Sequence, residues 1–126
     1  MYEIMLIGLG GFAGAILRYL VSGWVQNGWA TFPVGTMAVN FIGSLLLSIT
    51  MYLSEYRGMF SEEMRIFITI GLLGAFTTMS TFSYESFRLL EQNELLLFGL
   101  NIMGTILLVF LAVYMGKIIA VNLWRA

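Results

Sequence analysis

The chain has 126 residues and a net charge of −1, with 60% of its residues hydrophobic and only 10% charged. A soluble domain has about 25% charged residues, so this composition indicates a membrane protein. Cysteine and histidine are both absent, which excludes disulfide and thiolate chemistry and removes the commonest metal ligand. No nucleophile–base pair or phosphate-binding loop is visible, so we do not expect an enzyme. The weak charge also excludes a basic surface for nucleic acid.

Four apolar stretches are long enough to cross a bilayer, which takes about 20 residues. They cover approximately residues 4–25, 34–53, 64–90 and 95–123. Almost nothing remains for a soluble domain, so the sequence predicts one all-α transmembrane domain over residues 1–126. The first stretch does not resemble a signal peptide, because Glu3 stands where a leader is normally basic. We expect a protein this small to oligomerise, since helices that carry polar groups need partners to shield them.

The basic residues favour one orientation only weakly. If both termini lie on one side, that side holds four basic residues: Arg57, Arg65, Lys117 and Arg125. The opposite side holds two, Arg18 and Arg88. This difference favours termini in the cytoplasm, but it is too small to dictate a single orientation. A protein that inserts both ways and pairs antiparallel would have the same pattern.

The first helix carries a small-residue face and a deep arginine. Gly10 and Gly14 form a GxxxG pair, a spacing that lets helix backbones approach closely. Arg18 lies in the second half of this helix, where a guanidinium either snorkels to the interface, pairs with a partner, or attracts an anion in a vestibule.

The second helix, which follows a turn at Pro33, has a regular polar stripe. Its residues recur every four positions and therefore lie along one face: Thr36, Asn40, Ser44 and Ser48. Asn40 is the most demanding of them, because its amide has two donor hydrogens and an acceptor oxygen to satisfy. The stripe indicates either interhelical hydrogen bonds or a wet, ion-contacting face, and its regularity slightly favours the wet face.

The third helix contains the most unusual segment, five hydroxyls between Gly71 and Ser83. Polar groups at bilayer depth are tolerated only where they are buried in protein or line a wet cavity. Glycines followed by the adjacent β-branched Thr77 and Thr78 favour an interrupted helix. Such a break frees carbonyl oxygens that can coordinate a small hard cation. Just beyond the hydroxyls, Glu85 is either an interfacial residue or the guard of a vestibule.

The fourth helix places Asn101 and Thr105 on one face at the i, i+4 spacing. Polar lines on the second, third and fourth helices suggest a common aqueous lining.

Three motifs occur in order along the chain. They are G-G-x-x-G-A-x-x-R-Y from Gly10, G-T-x-x-x-N-x-x-G from Gly35, and G-x-x-G-x-x-T-T-M-S-T-F-S from Gly71. Together with the length and the four helices, they resemble the Fluc (CrcB) fluoride channels over essentially the whole chain. The resemblance implies passive export of fluoride across the cell membrane by a dual-topology antiparallel homodimer with two pores along its interface. It also implies a third helix that is broken mid-membrane.

The resemblance also implies site residues. The fluoride pore would be lined by Asn40, Met79, Ser80, Thr81, Phe82, Asn101 and Thr105. The vestibule would contain Arg18 and Glu85, and a structural sodium ion would be held by backbone carbonyls of Gly74 and Thr77.

One pore position departs from the family pattern, because Met79 stands where the family has a phenylalanine. A phenyl ring offers an anion its positive edge, whereas a thioether offers polarizable bulk. This departure leaves open that the subunit pairs with an oppositely oriented homologue that supplies the ring. Two further alternatives do not depend on Met79. The chain could be a non-conducting accessory subunit whose polar stripes only join helices, or it could be a small multidrug or cation antiporter, which is also built from four-helix antiparallel dimers. The antiporter needs a membrane-embedded acid in the first helix, where only Glu3 is available, at the tip.

Overall fold

The structure is a computed structural model that describes residues 1–125, with the side chain of Trp124 outside the description. In that part of the chain all regular structure is helical, and four helices are long and apolar enough to cross a membrane. The elements in chain order are α1 (Tyr2–Gln26), α2 (Val34–Arg57), α3 (Glu62–Arg65), a π-helix (Ile66–Leu73), α4 (Gly74–Phe76), α5 (Met79–Glu91) and α6 (Leu95–Arg125). The prediction of four membrane-spanning helices is confirmed.

Local capping interactions determine where α2 ends and where α3 begins. At the end of α2, Gly58 adopts the left-handed conformation (φ 57°) and its N–H bonds to the carbonyl of Ser54 at 2.9 Å. The next helix begins at Ser61, whose side chain accepts a hydrogen bond from the N–H of Met64 at 3.2 Å. These short connections keep consecutive spans adjacent.

The third span, Glu62–Glu91, consists of α3, the π-helix, α4 and α5, and it breaks at Thr77 and Thr78. Both residues are extended, with φ and ψ of −89° and 158° for Thr77 and −150° and 119° for Thr78. The predicted break in the third helix is thus confirmed. The π-helix that precedes it was not predicted, and it lies where α1 approaches most closely.

Helix α1 packs directly against the π-helix, backbone to backbone. A Cβ atom at Gly10 would lie 2.7 Å from the carbonyl oxygen of Phe67, and one at Gly71 would lie 3.0 Å from that of Ile7. At Gly14 a Cβ would overlap the carbonyl of Leu72. The GxxxG motif therefore serves close packing within the subunit, as its spacing predicts.

The remaining packing joins α2 to α6. Val39 on α2 and Ala112 on α6 are completely buried. Beside them the Ser48 hydroxyl donates to the carbonyl of Val113 at 2.6 Å, and Gly116 leaves room for the Ser48 side chain. Most large apolar side chains elsewhere are exposed, as expected for a chain whose outer surface faces lipid.

Candidate functional site

The break in the third span is bridged by a side chain of α2. The Asn40 carbonyl oxygen accepts from the N–H of Thr78 at 2.8 Å, and its Nδ2 donates to the carbonyl of Thr78 at 3.1 Å. Asn40 is only 9% exposed. Its amide therefore pairs with the extended backbone much as another peptide group would, and it replaces helical bonds that the break removes.

Redirection of two N–H groups leaves two carbonyls without their helical donors. In a continuous helix the N–H of Thr78 would bond the carbonyl of Gly74, and that of Thr81 would bond the carbonyl of Thr77. Here the first donates to Asn40 and the second to the hydroxyl of Thr78. The oxygens of Gly74 and Thr77 are thus both released from helical bonding at the break.

Arg18 satisfies a third carbonyl at the same place. Its Nε donates to the carbonyl of Ala75 at 3.1 Å, across from α1 to α4. A cation at the C-terminal end of a helical segment also complements the negative end of the helix dipole. The side chain is half-buried. This is the structural pairing that was one of the options for Arg18, and it places the residue beside the break.

A cavity of about 240 Å³ lies beside the break, open on one side. It is lined by Asn40, Ser44, Thr77, Thr78, Met79, Phe82, Thr105, Ile106 and Val109. Helices α2, α5 and α6 all contribute to this wall. Four of the seven predicted pore residues line it: Asn40, Met79, Phe82 and Thr105. Met79 is 73% exposed, so it forms part of the open rim.

The other three predicted pore residues lie off this wall. Ser80 is exposed, with its hydroxyl 3.4 Å from that of Thr78, and Thr81 is half-buried in the first turn of α5. Asn101 is only 1% exposed and donates from Nδ2 to the hydroxyl of Ser86 at 2.8 Å. Within the subunit Asn101 therefore bonds α6 to α5, and Ser80 faces outward from the bundle.

A second cavity, of about 360 Å³, lies at the end of the bundle where α1 and α5 finish. It is lined by Gln26, Trp29, Ala30, Thr31, Pro33, Glu85, Arg88, Leu89 and Gln92. A carboxylate oxygen of Glu85 accepts a hydrogen bond from the hydroxyl of Thr36. Glu85 thus lies at a polar mouth, whereas Arg18 is not part of this lining.

The loop that forms one side of this mouth is held by Gln26. Its amide nitrogen, Nε2, donates to the carbonyls of Trp29 and Phe32 at 3.0 and 2.9 Å. Its Oε1 accepts from the N–H of Gly35 at 2.9 Å. One side chain therefore fixes the whole turn between α1 and α2.

The polar stripe of α2 makes hydrogen bonds to other spans, which is one of the two roles that its spacing indicates. Thr36, Asn40 and Ser48 each bond a residue of another span. Ser44, one turn beyond Asn40, lines the cavity at the break. Regular spacing identified the face correctly, but it could not tell which of its members bond to neighbouring helices.

Two residues of the site were missed in the sequence. Thr78 was recognised only as part of the break, yet its hydroxyl accepts from the N–H of Thr81 at 3.1 Å as the N-cap of α5, and it lines the cavity. Ser86 was overlooked because a single serine on an otherwise mixed helix carries no periodic signal. Its burial, at 3% exposure, becomes visible only once α5 packs on α6.

Four apolar spans, one of them broken beside a cavity, define a multi-pass membrane protein. A family model described as "CrcB-like protein, Camphor Resistance (CrcB)" matches residues 5–117. The chain belongs to this family.

Curated relatives cover nearly the whole chain. "Fluoride-specific ion channel FluC 1" of Methanosarcina acetivorans is 63% identical over 98% of this chain and 94% of its own length. "Fluoride-specific ion channel FluC 3" of Methanosarcina barkeri is 56% identical over 97% and 92%. "Fluoride-specific ion channel FluC" of Methanococcus maripaludis is 48% identical over 98% and 100%. These relatives are named as ion channels, which are not enzymes.

Proposed function

We propose that this protein is a passive, fluoride-selective channel that exports fluoride across the cell membrane. The observation that carries the proposal is the cavity beside the broken span, where an asparagine, two hydroxyl-bearing helices and an aromatic ring converge at mid-span. The names of the relatives, all fluoride-specific ion channels, agree with it.

The cavity offers the donors that a strongly hydrated anion needs in exchange for water. After Nδ2 of Asn40 has bonded the carbonyl of Thr78, its second hydrogen remains free to donate. The hydroxyls of Ser44 and Thr78 lie on the same wall, and the positive edge of the Phe82 ring adds a weaker attraction. Several weak contacts let an ion enter and still leave, as conduction requires.

A second subunit would complete the path. The cavity is open, with Met79 in its lining, and both Met79 and its neighbour Ser80 are exposed in the single chain. An exposed hydroxyl at this depth calls for a protein or aqueous neighbour. We therefore infer an antiparallel homodimer with pores along the interface, in which Ser80, Thr81 and Asn101 remain candidate pore residues.

A structural sodium ion fits the break. A hard cation takes several oxygen ligands, and the carbonyls of Gly74 and Thr77 are released from helical bonding. Two oxygens from one subunit fall short of a full shell, so the same pair from a second subunit would be needed. Bound there, sodium would supply fixed positive charge and would hold the subunits together.

A heteromeric channel is the second candidate, because of Met79. With 73% of its surface exposed at the open rim, this side chain would meet a partner subunit directly. An oppositely oriented homologue with a ring at that place would supply the edge that Met79 lacks. The small multidrug or cation antiporter gains no support, since Glu3 lies exposed at the chain start and pairs with the terminal amine at 3.5 Å.

Efflux from liposomes tests the function. Purified protein is reconstituted with internal fluoride or chloride, and release is followed with ion-selective electrodes. We expect rapid fluoride release without a proton gradient, little chloride release, and near-complete loss of fluoride release in Phe82→Ile. Phe87→Ile on the same helix is the control, because Phe87 is 58% exposed and lines neither cavity. Absence of fluoride release from the wild-type protein would refute a homomeric channel and leave the heteromeric one.

A further inference from the structure

The most completely buried polar side chains of α5 and α6 form one chain of hydrogen bonds. Ser86, Asn101 and Thr105 are 3%, 1% and 5% exposed. The Thr105 hydroxyl donates to Oδ1 of Asn101 at 3.4 Å, and Nδ2 of Asn101 donates to the hydroxyl of Ser86 at 2.8 Å. The Ser86 hydroxyl in turn donates to the carbonyl of Phe82 at 2.7 Å. The chain thus begins and ends at residues of the cavity wall.

Ser86 is the central member of this chain. Its hydroxyl has one hydrogen, which is used on Phe82, and it accepts from Asn101, so its orientation is fixed from both sides. Among the described residues, the Ser86–Asn101 bond is the only side-chain hydrogen bond that joins α5 to α6. An i−4 bond from serine to a carbonyl also tends to bend a helix at that point.

The Ser86–Asn101 bond lies where it can control the separation of α5 and α6 at the cavity. Helices α5 and α6 are joined by a tight turn, in which Asn93 has φ 61° and the N–H of Glu94 bonds the carbonyl of Leu89 at 2.9 Å. Ser86 and Asn101 connect the two helices at a short distance from that turn. Phe82 and Thr105 face the cavity one helical turn further on, where any divergence of the helices is larger.

We propose that Ser86 is a positioning residue that sets halide selectivity. Through Asn101 it fixes the spacing between Phe82 on α5 and Thr105 on α6, and hence the width of the cavity that fluoride would cross. Chloride is larger than fluoride, so a cavity that widens when α5 and α6 separate admits chloride more readily. This inference rests on the proposed channel function and assigns a cause to its selectivity.

The test compares release of the two halides from liposomes containing Ser86→Ala. We expect the fluoride-over-chloride rate ratio to fall by about fivefold or more, the factor equivalent to one net hydrogen bond of about 1 kcal/mol. The ratio is independent of how much protein is folded, so a merely structural defect would lower both rates and leave it unchanged. Thr50→Val is the matched control, because it also removes a buried hydroxyl-to-carbonyl bond at i−4, here 2.8 Å to Leu46, away from the cavity.

A second variant distinguishes loss of the hydrogen bond between α5 and α6 from the cost of leaving the Asn101 amide without an acceptor. In Ser86→Ala the amide of Asn101 loses its acceptor, whereas the double variant Ser86→Ala/Asn101→Leu removes that donor as well. The Thr105 hydroxyl, which donates to Asn101 in the wild-type protein, can turn to the backbone carbonyl four residues earlier in the double variant. We expect the double variant to be more stable than the single one and equally unselective. An unchanged ratio in Ser86→Ala, or a ratio restored in the double variant, would overturn the positioning role. Neither result would affect the proposed function, which is tested separately by fluoride release from the wild-type protein.

Discussion

Replacement of Asn40 by alanine tests how the broken span is held in place. The substitution removes both hydrogen bonds to Thr78, at 2.8 and 3.1 Å, and leaves the N–H and carbonyl of that residue without partners. A buried unsatisfied group costs about 1–3 kcal/mol, so two would cost about 2–6 kcal/mol. Thr78 lines an open cavity, and any water in that cavity would satisfy part of that need.

For Asn40→Ala we therefore expect a loss of unfolding free energy near the lower end of the range of about 2–6 kcal/mol. Interhelical bonds in membrane proteins average about 0.6 kcal/mol, because the unfolded chain in the membrane also finds partners. Two such bonds and partial exposure give an expected loss of about 1–3 kcal/mol in the free energy of unfolding. The measurement is thermal or detergent-induced unfolding of the purified protein, with fluoride efflux recorded on the same sample.

Ser48→Ala is the control for Asn40→Ala. It removes one interhelical bond from the same helix, the 2.6 Å bond to the carbonyl of Val113, far from the break. We expect a loss of about 0.6 kcal/mol in unfolding free energy and unchanged fluoride efflux. If Asn40→Ala stays within about 0.5 kcal/mol of the wild-type protein, the bridging role assigned to this amide is wrong.

Three further substitutions and one control have defined outcomes. Met79→Phe should maintain or raise the fluoride efflux rate, and loss of transport would show that the thioether has a role of its own. Arg18→Met should lower the free energy of unfolding by about 1–2 kcal/mol in thermal unfolding, since it removes the donor to the Ala75 carbonyl in α4. Gly14→Val should destabilise by about 1–3 kcal/mol or more because its side chain would overlap the carbonyl of Leu72. Gly8→Val, with open space around Gly8, should stay near neutral in the same assay.

The features that could be predicted from the sequence are those with a local cause. Four spans follow from apolar length alone, and the break at Thr77 and Thr78 follows from adjacent β-branched residues after glycines. Close packing at Gly10 and Gly14 likewise follows from small side chains at a four-residue spacing. In each case a few residues that are close in sequence are enough to determine the feature.

The features that could not be predicted depend on which helices become neighbours. The i, i+4 pair of Asn101 and Thr105 indicated a shared face, but only the packing of α6 on α5 shows that Asn101 bonds Ser86 while Thr105 reaches the cavity. Arg18 had several possible partners, and the choice of the Ala75 carbonyl depends on where the break falls. The π-helix at Ile66–Leu73 has no compositional signature that we could identify.

The broken third span divides the molecule into two mechanically different parts. Its first half lies backbone to backbone against α1, where a Cβ added at Gly10 or Gly14 would collide with a carbonyl group. Its second half, α5, buries Leu89 and is otherwise joined to the rest by separate polar contacts that involve Asn40, Thr36 and Asn101. Natural variation can therefore adjust the cavity wall one contact at a time, while the tightly packed half keeps the scaffold unchanged.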